Sequence, residues 1–418
     1  MRNKRKLKST GEINRGNGRM WLVSEYFYPC DNATGYIMTS VAKIIAKQSP
    51  LNVITTTNLG RFPEIDAVDL NIIRIRDSEL NKDHLFQRLL RIILLSVRLF
   101  RAVLKHVKRE DVLITVTNPT ALTLLLKLAK NLRGFNVVLI VHDLFPENLA
   151  AGGIVGQSNP AYRIVRGVFN RALSGLDAIL VVGRDMEVLM QRKLRRKEVI
   201  HYLPNFADTG AIVPSDKMQN ELVSHNNLAD KLIVLFTGNI GRVQHIGFIC
   251  EVMLAMKEHN EVHFLFIGEG AMKPFLSDFL IRHDLTNATL LPMMPRESEN
   301  IFLNAGDVGL VILPPGFKGL GVPSKSYSYM AAGKPLLGIV DHDSEIGLLI
   351  SEHDVGWQVD PDNVTQCVDR ILQLKADVDS VRQKGERARL VCERYFTPEK
   401  YTFRLMEIVN RIKNDGSD

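Results

Sequence analysis

The sequence is poor in cysteine. Four occur among 418 residues, Cys30, Cys250, Cys367 and Cys392, and no two form a C-x-x-C pair. That scatter argues against a disulfide framework or a structural zinc site, and it suits a reducing compartment. No run of 18 apolar residues occurs, so no segment is fit to span a bilayer as a helix. The N-terminus is basic but has no apolar stretch behind it, unlike a secretory signal. Also missing are G-x-G-x-x-G, a Walker loop, G-x-S-x-G, H-E-x-x-H and the kinase motif set. With 45% hydrophobic and 24% charged residues, the chain is not collagen-like, low-complexity or broadly disordered. Its length suits two or three domains.

Positive charge is present in excess, +7 overall, and it is unevenly placed. Residues 1–19 hold seven Lys/Arg against Glu12, residues 82–109 hold eight against Asp83, and residues 184–197 hold six against two acids. The remainder is mildly acidic. The tail 1–19 is polar and reads as flexible. The middle patch reads as an amphipathic helix. Leu85, Leu89, Ile92, Ile93, Leu99, Phe100, Val103, Leu104 and Val107 fall on one side, and Arg88, Arg91, Arg98, Arg101, Lys105 and Lys108 on the other. Leu90, Leu94 and Leu95 intrude on the basic side. Residues 85–108 are therefore expected to meet an anionic membrane surface, although a core-facing helix with a solvated basic face has the same pattern. Nucleic acid is not expected, because the patches lack interleaved aromatics and no groove-reading motif is present.

Short aliphatic runs alternate with stretches of helical period, the pattern of a parallel sheet covered by helices. Strands are expected at 20–25, 52–56, 71–75, 112–116, 136–141, 178–182 and 199–202. A polar stretch from Pro204 to Asp230 follows, and the pattern restarts at 232–236, 263–267, 289–291, 308–312, 335–339 and 356–359. The expected fold is α/β, with two doubly wound Rossmann-like domains facing across a cleft. Residues 20–213 form the first, 214–230 a linker, 231–395 the second, and 396–418 a final helix across the junction.

Four loops at expected strand ends could carry chemistry. The first runs from Tyr26 to Gly35 and ends in small residues before a helix. The second, Val141-His142-Asp143, offers groups able to bond a hydroxyl or move a proton. The third, Thr237-Gly238-Asn239-Ile240-Gly241-Arg242-Val243-Gln244, combines glycines with a cation suited to phosphate. In the fourth, Gly319-Leu320-Gly321-Val322-Pro323-Ser324-Lys325, a lysine opens a short helix. A cation in that place opposes the helix dipole, a conflict that a bound diphosphate would remove. A buried satisfied histidine, a structural glycine turn and a solvated lysine remain the plain alternatives. The triplets Asp341-His342-Asp343 and Asp360-Pro361-Asp362 read as turn acids rather than metal ligands.

In this order, together with Phe266-Ile267-Gly268-Glu269-Gly270 and the run from Val322 to Pro335, these motifs resemble GT-B glycosyltransferases of family four. Within that family the chain looks similar to the bacterial surface-polysaccharide branch that includes L-fucosamine transferases. The resemblance implies retaining transfer from a nucleotide sugar, most often UDP-linked, without a metal or other cofactor. It implies an acceptor held by the first domain; a lipid-linked saccharide at the cytoplasmic face of the membrane is the expected one, and it would explain the basic helix there. His142, Asp143, Arg242 and Lys325 would be catalytic. Gly35, Gly238, Asn239, Gly241, Gln244, Met294, Pro323, Ser324, Tyr329 and Glu345 would hold the donor. The family commonly carries two glutamates eight positions apart, and here Leu320 and Ser328 occupy those positions. Two other readings stay open: an enzyme like UDP-N-acetylglucosamine 2-epimerase, or a non-catalytic subunit that binds nucleotide sugar.

Overall fold

The computed structural model describes residues 18–30, 32–57, 70–77 and 85–415. Two parallel sheets follow one another along the chain. The first contains β1 (Met20–Val23), β2 (Leu51–Thr57), β3 (Leu70–Arg76), β4 (Val112–Val116), β5 (Asn136–Val141), β6 (Ala178–Val181) and β7 (Ile200–Tyr202). Its order is β3-β2-β1-β4-β5-β6-β7. The second contains β8 (Leu232–Asn239), β9 (Val262–Glu269), β10 (Ala288–Leu291), β11 (Val308–Ile312), β12 (Leu336–Ile339) and β13 (Gly356–Val359), ordered β10-β9-β8-β11-β12-β13. In each sheet the strand order reverses beside the first strand, which opens a crevice at the carboxyl ends.

The sequence explains these sheets locally. All five residues of β4 are buried, as a strand covered on both faces requires. Along β1, Trp21 and Val23 enter one core and Met20 and Leu22 the other, so side chains alternate between two helical layers. All thirteen expected strands are present, with ends displaced by up to three residues. The largest differences are β8 and β9, which run on into their glycine loops. Gly238 pairs with Gly268 in register, and a Cβ on Gly268 would lie only 1.9 Å from the Gly238 carbonyl oxygen. Glycine there lets the two strands stay paired up to the crevice.

The polar stretch before the second sheet carries a short helix, Glu221–His225. Its Val223, with Leu228, packs against Ile233 and Leu235 of β8. The final helix, Pro398–Asp415, returns to the first sheet and buries Tyr401, Leu405 and Val409 beside Met20 and Leu22. Residues 1–17 of the expected tail lie outside the described residues. Arg19 is tied down by its N–H, which donates to Asp111 Oδ1 at 2.8 Å.

The basic segment forms a 22-residue helix, Leu85–His106, and three of its residues depart from the expected pattern: Ile93 faces outward, 53% exposed, and two others face inward. Leu95 is in the core, and so is Arg91. Arg91 donates to Glu25 Oε1 at 2.9 Å and is also bonded to Asp77, closing a nearly dry ion-pair cluster under β1. Arg91 is thus a structural residue, whereas Arg101, Lys105 and Lys108 are exposed. Replacing Arg91 by alanine leaves the buried Glu25 carboxylate without its cation. Arg91→Ala is expected to cost about 3 kcal/mol or more of unfolding free energy in a urea titration, while Arg101→Ala on the exposed side costs less than about 0.5 kcal/mol.

Candidate active site

The crevice between the sheets encloses about 1110 Å³ and takes its walls from both. Its second-sheet wall is built around β8. The Tyr329 hydroxyl, fully buried, accepts from the Thr237 N–H at 2.8 Å and thereby fixes the end of that strand. Gly238 then turns the chain at a φ of 101°, a conformation that favours glycine. Lys325 opens the helix Lys325–Ala331 directly beside this turn. Its Nζ lies 3.4 Å from the centre of the Phe236 ring, is buried and has no hydrogen-bond partner in the protein. Burial alone lowers its pKa to about 7, with no carboxylate nearby to offset the loss of water. Thr237, Asn239, Gln244, Pro323 and Ser324 surround it, and the Gln244 Oε1 is likewise buried and unpartnered. Of the backbone donors at the helix start, the Ser326 and Tyr327 amides are already taken by the carbonyls of Pro323 and Ser324.

The first-sheet wall comes from loops at its carboxyl edge. Asn32, Ala33 and Tyr36 follow β1, and Asp143, Asn148, Leu149 and Ile154 follow β5. Asp143 bridges across the crevice to Gly321, and Leu144 N–H donates to the Leu320 carbonyl at 2.9 Å. Asp143 is open to water in the crevice yet surrounded by protein, and this burial pushes its carboxyl pKa up. His142 stands behind it, outside the crevice wall, with Nε2 buried and unpartnered. Burial lowers its pKa to about 4, so the ring is neutral at physiological pH.

The expected residues thus divide into two groups. Asp143, Gly238, Asn239, Gln244, Met294, Pro323, Ser324 and Lys325 share one cavity. The others do not line it. Arg242 is exposed to solvent one turn beyond the glycine loop. Tyr329 lies beneath the wall as a support. Gly35 and Gly241 act through the backbone: the Gly35 N–H is occupied by Asn32 Oδ1 at 2.8 Å, and a Cβ on Gly241 would meet Asn239 at 2.6 Å. Glu345 is displaced furthest from its expected role. Its carboxylate accepts from the Tyr202 hydroxyl at 2.6 Å and from the Arg184 N–H at 2.7 Å, so it clasps the first sheet to the second. Both D-x-D triplets lie outside the cavity wall. Within them Asp343 pairs with Lys318 and His342 with Asp360.

Sequence reading missed a second cluster. Arg296 stacks on the Tyr36 ring, 3.3 Å from its centre, joining the two walls. Arg296 also pairs with Glu299 at 3.3 Å, and the Ser328 hydroxyl donates to Glu299 at 3.4 Å. Glu299 therefore brings a carboxylate to Ser328, a position where the family commonly has one. Burial raises its pKa, with Arg296 opposing. A signal was available, since Arg296 and Glu299 closely follow β10, at the same carboxyl edge that drew attention to Asp143.

The buried amine has a measurable signature. Lys325 holds its proton with a pKa of about 7 when folded and near 10.5 when unfolded. Between those values the unfolded chain binds more protons, so this group makes stability rise with pH across that window. Lys325→Met is expected to flatten the rise between about pH 7 and about pH 9 in urea titrations.

Comparison with known proteins supports the same assignment. Residues 51–211 match the profile described as Glycosyltransferase Family 4. The chain is 31% identical over 366 residues to a probable glycosyltransferase, WbjE, of Pseudomonas aeruginosa, covering 85% of this chain and 90% of the relative. It is 23% identical over 256 residues to a putative colanic acid biosynthesis glycosyl transferase, WcaI, of Escherichia coli K12, covering 59% and 62%. Among solved structures, Anabaena HepE in complex with UDP superposes with a TM-score of 0.70 at 11% identity, over 94% of this chain and 100% of that one. Sucrose-phosphate synthase of Thermosynechococcus elongatus gives 0.74 at 15%, over 94% and 99%. The two doubly wound sheets, the crevice between them and the WbjE match together establish that this chain belongs to the GT-B glycosyltransferases of family four.

Proposed function

We propose that the protein transfers a sugar, with retention at the anomeric carbon, from a UDP-sugar to a lipid-linked saccharide in bacterial surface-polysaccharide synthesis. The observation that carries this reading is the buried, unpaired amine of Lys325 at the glycine turn of β8. As the bond from the anomeric carbon to the diphosphate oxygen breaks, the electron pair leaves with the nucleoside diphosphate. A preorganised cation in a water-poor crevice stabilises that developing charge. Protonation of Lys325 is favoured once the diphosphate supplies the missing counter-charge. Gln244, Asn239 and the loop at Pro323–Ser324 complete the contacts, and Met294 borders the base. Asp143 faces the transferred sugar from the other wall. Glu299, backed by Arg296, accepts hydroxyl hydrogens of the donor. The acceptor hydroxyl forms the new bond on the face from which the diphosphate departs, and its proton passes to the leaving phosphate.

The relative WcaI, named for colanic acid biosynthesis, and the HepE complex with UDP support the donor and pathway class. A non-catalytic subunit was the main competitor, because Leu320 and Ser328 replace two acids. Both positions line the crevice, and Glu299 restores a carboxylate beside the second. Metal independence and location at the inner membrane face belong to the same proposal. No described helix is long and apolar enough to cross a membrane.

Turnover is measured as UDP release with a panel of UDP-sugars and extracted lipid-linked acceptors, and the product anomer is read by NMR. Lys325→Ala is expected to lose about a hundredfold or more, comparable with removal of an oxyanion donor, while the fold survives. Arg242→Ala should stay within about threefold of wild type. Activity should also persist in EDTA. Near-normal turnover in Lys325→Ala would overturn the diphosphate assignment, and an inverted product would overturn retention.

A further inference from the structure

Three helices cover one face of the first sheet: Leu85–His106, Thr120–Arg133 and Pro160–Leu173. They pack through a common core that includes Leu95, Leu99, Leu126 and Leu173, and Lys127 Nζ donates to the Arg171 carbonyl at 2.7 Å. They contain five, three and three Lys or Arg, and no Asp or Glu at all. A surface that simply faces water normally mixes both signs. Their outward sides are also apolar. Ile93 on the first helix is 53% exposed, Leu132 on the second 62%, and Ile164 on the third 68%, with Leu90, Leu94, Leu128, Val165 and Val168 beside them.

Single exposed aliphatics are ordinary, but a run across three adjacent helices is not. Of the basic residues, Arg91 is held in the core by Glu25 and Asp77, and others stand free of acids. Arg166 has Glu147 and Lys130 has Asp177, but Arg101, Lys105, Arg133, Arg163 and Arg171 are paired with no carboxylate among the described residues. Among the described residues, none of the large exposed apolar side chains on these helices is aromatic, whereas protein-binding surfaces favour Tyr, Trp and Phe anchors. Aliphatic residues set in a basic field without acids complement an anionic lipid surface.

We infer that this whole layer, and not the basic helix alone, docks the protein on an anionic bilayer, with Ile164, Val165 and Val168 entering the interface. The placement also serves the cleft. The segment leading into Pro160–Leu173 carries Asn148, Leu149 and Ile154, all in the crevice wall, and Glu147 bonds Arg166 on the docking helix at 3.4 Å. The lipid face therefore begins at the rim of the site. The inference deepens the proposal of a lipid-linked acceptor, while docking itself needs no turnover.

Co-sedimentation of the full chain with phosphatidylglycerol–phosphatidylethanolamine vesicles tests it, with phosphatidylcholine vesicles as the neutral control. Binding to the anionic vesicles alone is expected. Arg101→Glu with Lys105→Glu and Arg163→Glu should weaken it by about a hundredfold or more, at roughly fivefold for each basic residue lost. Ile164→Ser with Val168→Ser should abolish the fraction that resists high salt. Both variants should keep the wild-type melting temperature and UDP affinity, because none of these residues lines the cleft. Absent binding to anionic vesicles, or equal binding by both variants, overturns the inference. A shift from dimer to monomer in light scattering, without vesicle binding, would instead make the face an interface between copies. Loss of UDP binding by the wild type would overturn the functional proposal and leave the docking result standing.

Discussion

One charge without a counter-charge organises the catalytic half of this molecule. The amine of Lys325 is buried at the crevice wall, it rests on the Phe236 ring, and no carboxylate neutralises it. Burying an amine in this way is unfavourable unless something answers it. The surroundings hold it in place. Tyr329 pins the end of β8 through Thr237, Gly238 turns the chain away, and Gly268 allows β9 to lie close underneath. Each of these positions is spent on geometry, and none of them supplies charge. The result is an electron-poor corner of the cleft, and the proposed diphosphate is what would satisfy the amine there.

The cleft itself depends on links between the sheets. Glu345 joins Arg184 and Tyr202, and Asp185 accepts from the amides of Gly319 and Glu345 at 2.9 and 3.1 Å. The Asp143–Gly321 bridge and the Tyr36–Arg296 stack add contacts nearer the site. Gly319 belongs to the same loop that delivers Pro323, Ser324 and Lys325. A carboxylate of the first half therefore holds the loop of the second that carries Lys325, so the contact between the halves also positions this amine.

How much was legible beforehand follows from the range of the interactions involved. The strands were, because parallel sheets buried on both faces demand continuous aliphatic runs such as that of β4. That Lys325, Ser324, Asn239, Gln244 and Asp143 share one cavity was legible because doubly wound sheets open a crevice at their strand ends, and each of these residues lies beyond a strand or at its end. Glu345 also follows a strand, yet Tyr202 and Arg184, far away in sequence, claim its carboxylate. Arg242 has the right chemistry, but its side chain is exposed and does not line the crevice, which loop spacing alone does not reveal. Arg91 looked like surface charge because helical periodicity cannot reveal that Glu25 waits beneath it. Glu299 escaped notice because it belongs to no motif, and its meaning comes only from the Ser328 hydroxyl brought beside it by the fold.

The central claim is that UDP supplies the counter-charge which Lys325 lacks, and proton linkage tests this most directly. Titration calorimetry with UDP at about pH 8, repeated in buffers of different ionisation enthalpy, counts the protons exchanged on binding. Uptake of close to one proton per UDP by the wild type, and of almost none by Lys325→Met, is the predicted result. Binding by the wild type without proton uptake would contradict it.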